Sequence, residues 1–290
     1  MKKNRHETES HSQNLKYVYA AAAIIIILVP TAFFFQFLTS GQNQPKAAII
    51  DQLSSSHLAP FSQHPNQTFI DLAKNLLNQR FDTIDYYRDN ATVENYKQIP
   101  SQGYKLIIWR AHSALDNASK YVAISTSDRE NLIYYDQYMQ NRQLTLCNIT
   151  GDPYLYFAIN PKFIREIMNG RFEDTVIILM SCNGLKQGYT ETAKALLDKG
   201  AKLLISWDGW VDSGDNDDAA THLLDYLINK NYTVNQAVQN STQGLLSTLH
   251  YYPETPGAAD YRIPDYRRQN TTQSTATATF LKKTEQQMAE

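Results

Sequence analysis

Residues 104–113, YKLIIWRAHS, and residues 175–184, TVIILMSCNG, decide how this chain folds. Each stretch is a short apolar run, rich in β-branched residues and bounded by turn-forming residues, which is typical of a strand buried in a parallel sheet. The first run ends at His112 and the second at Cys182. Because ligands bind at the carboxyl ends of strands in open parallel sheets, we expect the imidazole and the thiol at one sheet edge. Such a pair can act as a nucleophile and its base.

Strand and helix patterns alternate on either side of these two runs. This alternation predicts an α/β fold, a three-layer α/β/α sandwich with a mostly parallel sheet. Residues 127–159 show neither pattern and are expected to be an irregular insertion over one sheet edge. The expected strands are 47–51, 83–87, 104–111, 120–126 (in a hairpin with the strand before it), 175–181 and 201–207, and the expected helices are 66–80, 93–98, 161–169, 190–199, 215–229 and 233–248.

The N-terminal region does not fit the globular pattern. Residues 17–38 are 22 residues without a charge, long enough to cross a bilayer as a helix. Four cations precede this segment and only Lys46 follows closely. The positive-inside rule therefore predicts a cytoplasmic N-terminus and an exported main domain. A cleaved signal peptide is the alternative, although its apolar region is usually shorter, about 7–15 residues. The expected organisation is a cytoplasmic tail (1–16), a single-pass transmembrane signal anchor (17–38), a tether (39–46), an extracytoplasmic domain (47–269) and a disordered tail (270–290).

The composition and motifs of the chain indicate which partners, cofactors and modifications to expect. The net charge of −2 and the lack of a basic stripe argue against nucleic acid, so the expected partners are a protein or peptide and, through residues 17–38, the lipid bilayer. We expect no cofactor and no metal, because no phosphate-binding loop occurs and the acidic run 215–218 suits a helix start better than a calcium loop. Seven Asn-x-Ser/Thr sequons agree with export and predict a glycoprotein: Asn66, Asn90, Asn117, Asn148, Asn231, Asn240 and Asn270.

The candidate site is assembled from the ends of the strands. We assign Cys182 as the nucleophile and His112 as the acid/base, although a structural histidine and a small buried cysteine are the alternatives. The oxyanion group comprises the N–H groups of Ser113 and Cys182 together with Gly184, which permits a sharp exit from the nucleophile. Asp51, at the end of the first strand, is a candidate third group that orients His112. A Cys147–Cys182 disulfide is a further alternative in an exported domain.

These strand ends resemble the caspase-like cysteine peptidase superfamily, which includes caspases, clostripain, gingipains, separases and CHAT domains. The resemblance rests on His112-Ser113, on Ser181-Cys182-Asn183-Gly184 and on the order of elements that follows, and it covers residues 47–250. Ser113 stands where the family often has glycine. The interval from His112 to Cys182 is 70 residues, longer than the about 50 typical of caspases, and the caspase Gln-Ala-Cys motif is absent.

The resemblance implies an extracytoplasmic cysteine endopeptidase, and a catalytically idle binding or scaffold module is the alternative. Asp208 matches the position of an acidic residue that selects Arg or Lys before the scissile bond in clostripain-like members. Trp207 or Trp210 would then wall the pocket and stack on a guanidinium. The alternative is that Asp208-Gly209 is only a turn. Family members commonly mature by loop cleavage, so the resemblance also implies self-cleavage in or beside residues 127–159, where Lys120, Arg129 and Arg142 lie. An inert surface loop is the alternative.

Overall fold

The computed structural model describes residues 45–131, 133–241 and 244–267, and a six-stranded sheet runs through the middle of this part of the chain. Five strands are parallel, and the last runs antiparallel to its neighbour. The four inner strands are buried on both faces, which is why their sequences are continuous apolar runs. In order across the sheet, the strands are β2 (Thr83–Tyr87), β1 (Lys46–Asp51), β3 (Tyr104–Arg110), β8 (Thr175–Met180), β9 (Ala201–Trp207) and β10 (Leu249–Tyr252).

Helices cover both faces of this sheet, because successive side chains of a buried strand point to opposite faces. Ile108 and Ile178 pack into one apolar core, and their neighbours Ile107 and Ile177 pack into another on the opposite face. The predicted α/β fold with a mostly parallel sheet is confirmed. The first core contains α1 (Gln67–Leu77), α6 (Ser213–Leu224), α7 (Val234–Asn240) and α8 (Pro256–Ala259), and the second contains α2 (Val93–Gln98), α3 (Asp136–Gln140), α4 (Pro161–Glu166) and α5 (Glu191–Asp198).

A second, antiparallel sheet replaces the expected insertion. Its strands, in order, are β4 (Ser113–Asp116), β5 (Tyr121–Arg129), β7 (Leu155–Ile159) and β6 (Leu144–Asn148). The prediction that residues 127–159 are irregular was wrong, because β6 and β7 form a hairpin there. The expected pairing of 120–126 with the first apolar run was also wrong, since β5 pairs with β4. Arg129 therefore belongs to a strand rather than to a loop available for self-cleavage.

Two helices near the C-terminus differ from their predicted bounds. The N-cap of α6 is Asp212, whose Oδ1 accepts the Gly214 N–H at 2.8 Å, rather than Asp215 or Asn216. The predicted helix over 233–248 ends at Asn240, and β10 follows it. This strand pairs with β9 through backbone hydrogen bonds, which single-sequence helix patterns do not reveal.

In the residues that the structure describes, no helix has both the length and the apolar character needed to cross a bilayer. The expected cytoplasmic tail (1–16), transmembrane helix (17–38) and C-terminal tail (270–290) lie outside the described residues, as does most of the tether.

Candidate active site

His112 and Cys182 lie at the carboxyl ends of adjacent parallel strands. Arg110 of β3 pairs in register with Met180 of β8, and each chemically active residue follows its strand by two positions. Ala111 continues the contact by donating its N–H to the Met180 carbonyl at 3.2 Å. His112 and Cys182 both line one cleft with a volume of about 300 Å³, at the lower limit for small-ligand pockets. The two residues therefore lie at one sheet edge and line the same cleft, as predicted.

The His112 ring is fixed by a backbone carbonyl. Its Nε2 lies 3.1 Å from the carbonyl oxygen of Ser62, in the segment that follows β1. Because a carbonyl only accepts hydrogen bonds, Nε2 carries the proton in this contact, and Nδ1 is the acceptor nitrogen of the neutral ring. Burial is the main cause that lowers the pKa of His112 to about 4, so the imidazole is neutral at pH 7. The ring is thus held neutral and in one orientation.

Gln52 fixes the backbone of the same histidine. Its Oε1 accepts the His112 N–H at 2.9 Å, and its Nε2 donates to the Thr126 carbonyl at 3.2 Å. The buried amide therefore joins the exit of β1 to the start of the second sheet. A second imidazole, His64, lies 5.8 Å from the His112 ring, centroid to centroid, at an angle of 64°.

The Cys182 thiol is a neutral group in this arrangement. Its Sγ lies 3.5 Å from the carbonyl oxygen of Val211, towards which the S–H donates. Burial raises the pKa of this thiol, and the carboxylate of Asp212 adds to the effect. The alternative of a Cys147–Cys182 disulfide is wrong, because both cysteines are free. Cys147 is buried in β6, and burial raises its pKa to about 11.

The expected oxyanion residues divide into two groups. Ser113 and Cys182 both line the cleft, and Ser113 Oγ donates to the Cys182 carbonyl at 2.5 Å, which ties the two strand exits together. Gly184 is buried and does not line the cleft. A Cβ on Gly184 would lie 2.0 Å from Ser206 Oγ, so close packing requires the glycine. Asn183, with φ of 60°, makes the sharp exit that had been assigned to Gly184.

Asp51 does not orient His112. Its Oδ1 accepts from Arg110 Nη1 at 2.8 Å, and Arg110 also makes two hydrogen bonds of 2.7 Å to the carboxylate of Asp217. All three side chains are buried, so this ion-pair cluster joins β1, β3 and α6 beneath the cleft. Asp51 was a candidate because it lies at the same sheet edge as His112. Its carboxylate instead pairs with Arg110, which lies two residues before His112.

Asp208 is not part of the cleft either. Its Oδ1 accepts the Thr248 N–H at 2.8 Å, and its Oδ2 lies 3.1 Å from His250 Nε2. Both partners belong to the segment that forms β10 or leads into it, so the carboxylate fastens this edge strand to the end of β9. Asp208 does not line the cleft, and its carboxylate instead has a structural role in holding β10 against β9.

The two tryptophans that flank Asp208 are in different environments. Trp207 is buried in the core, where its Nε1 donates to Asn216 Oδ1 at 2.7 Å, so its assignment as a pocket wall is wrong. Trp210 lines the cleft and is 56% exposed.

Among the described residues, no group of three or more His, Cys, Asp or Glu side chains is arranged to hold a metal ion. Within the acidic run 215–218, Asp217 is already bound to Arg110.

Sequence reasoning missed Ser62, Gln52, His64 and Phe61, which all follow β1 and line the cleft or contact His112. Their position after a strand of the same sheet was the available signal. The residue type at position 62 could not indicate its role, because the backbone carbonyl of Ser62, not its side chain, contacts His112. No protein-family model matches this chain, and no curated protein has a detectably similar sequence.

Proposed function

We propose that this protein is a membrane-anchored, extracytoplasmic cysteine endopeptidase of the caspase-like superfamily, with Cys182 as the nucleophile and His112 as the acid/base. One observation carries the proposal. A thiol and an imidazole that are 70 residues apart in the chain follow adjacent parallel strands and line the same cleft. The contact between His112 Nε2 and the Ser62 carbonyl supports it, because it leaves Nδ1 available to accept a proton.

Cleavage would proceed through an acyl-enzyme. The Cys182 S–H proton passes to His112 Nδ1 as the sulfur attacks the peptide carbonyl, and the oxyanion is stabilised by the N–H groups assigned to Ser113 and Cys182. His112 then returns the proton to the leaving amine as the C–N bond breaks. His112 next takes a proton from water as the water oxygen attacks the thioester. It passes this proton to the Cys182 sulfur as the C–S bond breaks, which releases the second product as a carboxylic acid and restores the thiol. Because both groups are neutral at rest, proton transfer accompanies attack rather than preceding it.

Anchoring and export belong to the same proposal. The uncharged segment 17–38 and the cations before it support a cytoplasmic N-terminus with the catalytic domain on the other side of the membrane. Among the described residues, the sequon asparagines that are exposed and lie outside the cleft are Asn90, Asn117, Asn231 and Asn240. Protease added to intact cells should digest the domain. Protection of the domain until the membrane is opened would contradict this orientation.

The second candidate is a binding module with an idle dyad, and the neutral resting state of both side chains favours it. A peptidyl chloromethyl ketone separates the two functions. An active dyad should alkylate Cys182 much faster in the wild-type full chain than in His112→Ala, when each rate is normalised to that with iodoacetamide. Cys147→Ala should keep the label, which assigns it to Cys182. A normalised rate that does not depend on His112 would favour the module.

A further inference from the structure

We infer that the cleft binds a peptide through an uncharged, large apolar side chain beside the reacting bond, and that it disfavours Arg and Lys; this inference rests on the proposed peptidase function. It differs from the expectation drawn from Asp208, whose carboxylate is bound to the segment that carries β10. The substrate class follows instead from the residues that line the cleft.

Two exposed aromatic side chains flank the dyad. Phe61 is 86% exposed and directly precedes Ser62, whose carbonyl contacts the His112 ring. Trp210 is 56% exposed and directly precedes Val211, whose carbonyl contacts the Cys182 thiol. Both aromatic residues line the cleft. Isolated exposed apolar residues are ordinary, but two aromatic residues that line one cleft, one next to the His112 contact and one next to the Cys182 contact, form an apolar rim against which a bound side chain can pack.

Buried apolar residues also line the cleft, beside the buried Ser62, Ser181 and Asn216. Leu53, Met180 and Val211 line the cleft and are at least nine-tenths buried. Leu53 comes from the segment after β1, Met180 ends β8, and Val211 follows β9, so these apolar residues come from three elements. A side chain that enters here is removed from water on several sides, which favours an apolar group and penalises an unpaired charge.

Among the described residues, Asp212 is the one carboxylate that lines the cleft, and it is poorly suited to select a cation. Its side chain is exposed, so water and salt screen its charge. Its Oδ1 already accepts the Gly214 N–H at the start of α6. A guanidinium or ammonium group that enters the cleft would lose its hydration and gain only the screened carboxylate of Asp212. An aromatic or aliphatic side chain would gain contacts with Phe61 and Trp210.

Binding can be measured separately from cleavage. The full chain carrying Cys182→Ala would be titrated by calorimetry with acetyl-Ala-Ala-X-Ala-Ala-amide peptides in which X is Phe, Leu, Arg or Glu. The Phe and Leu peptides should bind at least about 10-fold more tightly than the Arg and Glu peptides, as apolar pockets discriminate by about 10–200-fold. Adding Trp210→Ala or Phe61→Ala should weaken binding of the Phe peptide by about 10-fold.

Tyr134→Ala is the matched control, because this aromatic residue is 87% exposed and does not line the cleft. It should leave every affinity unchanged. Tighter binding of the Arg peptide, equal or undetectable binding of all four peptides, or no effect of either cleft substitution would overturn the inference.

Hydrolysis of the same peptides by the wild-type chain reports on the proposed function separately. Apolar binding preference without any cleavage would contradict the peptidase and leave the inference standing. Cleavage after Arg would support the peptidase and overturn the inference.

Discussion

Replacement of His112 by glutamine should remove a large part of the acid sensitivity of the fold. The pKa of His112 is about 4 in the folded protein against an ordinary value of 6.5, mainly because the ring is buried. The unfolded chain therefore binds a proton that the folded chain does not between pH 6.5 and pH 4, and the free energy of unfolding falls as the pH falls through this window. Each pKa unit corresponds to 1.36 kcal/mol, so the loss in the free energy of unfolding is about 3 kcal/mol at most. It is an upper limit because one side of the ring borders an open cleft.

Glutamine suits this test because its amide nitrogen can replace Nε2 as the donor to the Ser62 carbonyl, yet it does not titrate. Urea unfolding at pH 7.5 and pH 4.5 gives the free energy of unfolding of each protein. The wild type should lose about 2–3 kcal/mol more than His112→Gln between these pH values. His57→Gln, which replaces an exposed histidine, should retain the wild-type slope. An identical pH dependence in wild type and His112→Gln would refute a buried, neutral His112.

Three further outcomes follow from the geometry around the cleft. Because burial raises the pKa of Cys182, its alkylation by iodoacetamide, followed by mass spectrometry, should continue to accelerate at pH values at which a free cysteine has reached its plateau. Gly184→Ala should cost about 1–3 kcal/mol in urea unfolding, since the new Cβ overlaps Ser206, whereas Gly257→Ala, with open space around it, should be neutral or stabilising. Arg110→Met should cost about 3–5 kcal/mol, because it leaves two buried carboxylates without a counter-charge; a change below 1 kcal/mol would contradict the ion-pair cluster.

The four inner strands of the central sheet were predictable because they are buried on both faces and carry continuous apolar runs. The predicted bounds of β2 and β9 match the structure. The second sheet was predicted only in part, because β5 was expected as the strand 120–126, whereas β6 and β7 were not recognised. Only Leu144 and Cys147 of the five residues in β6 are buried, so the strand lacks a continuous apolar run or a regular alternation. What holds it in place is backbone pairing with β7, and hydrogen bonds between strands leave no local pattern in the sequence.

The dyad was predictable for a topological reason. In a parallel sheet, every strand delivers the residue after its carboxyl end to the same edge, so strand recognition alone brings His112 and Cys182 together. The residues that hold His112 were not predictable in this way. Gln52 acts through an amide that also reaches Thr126, and Ser62 acts through its backbone carbonyl. These contacts depend on the path of the chain after β1, which no periodic pattern encodes.

Asp208 shows where reasoning from strand ends fails. The rule predicts the edge at which a residue emerges, and Asp208 does emerge at the carboxyl end of β9. The rule does not predict which backbone donors meet the side chain there, and a carboxylate is stabilised by the nearest unpaired N–H. The N–H of Thr248 becomes that donor only because the chain returns as antiparallel β10, and this stretch resembled the end of a helix in sequence. Because β10 was not predicted, Asp208 was assigned to substrate specificity. Trp210 lies two residues further along, beyond the pairing with β10, and lines the cleft.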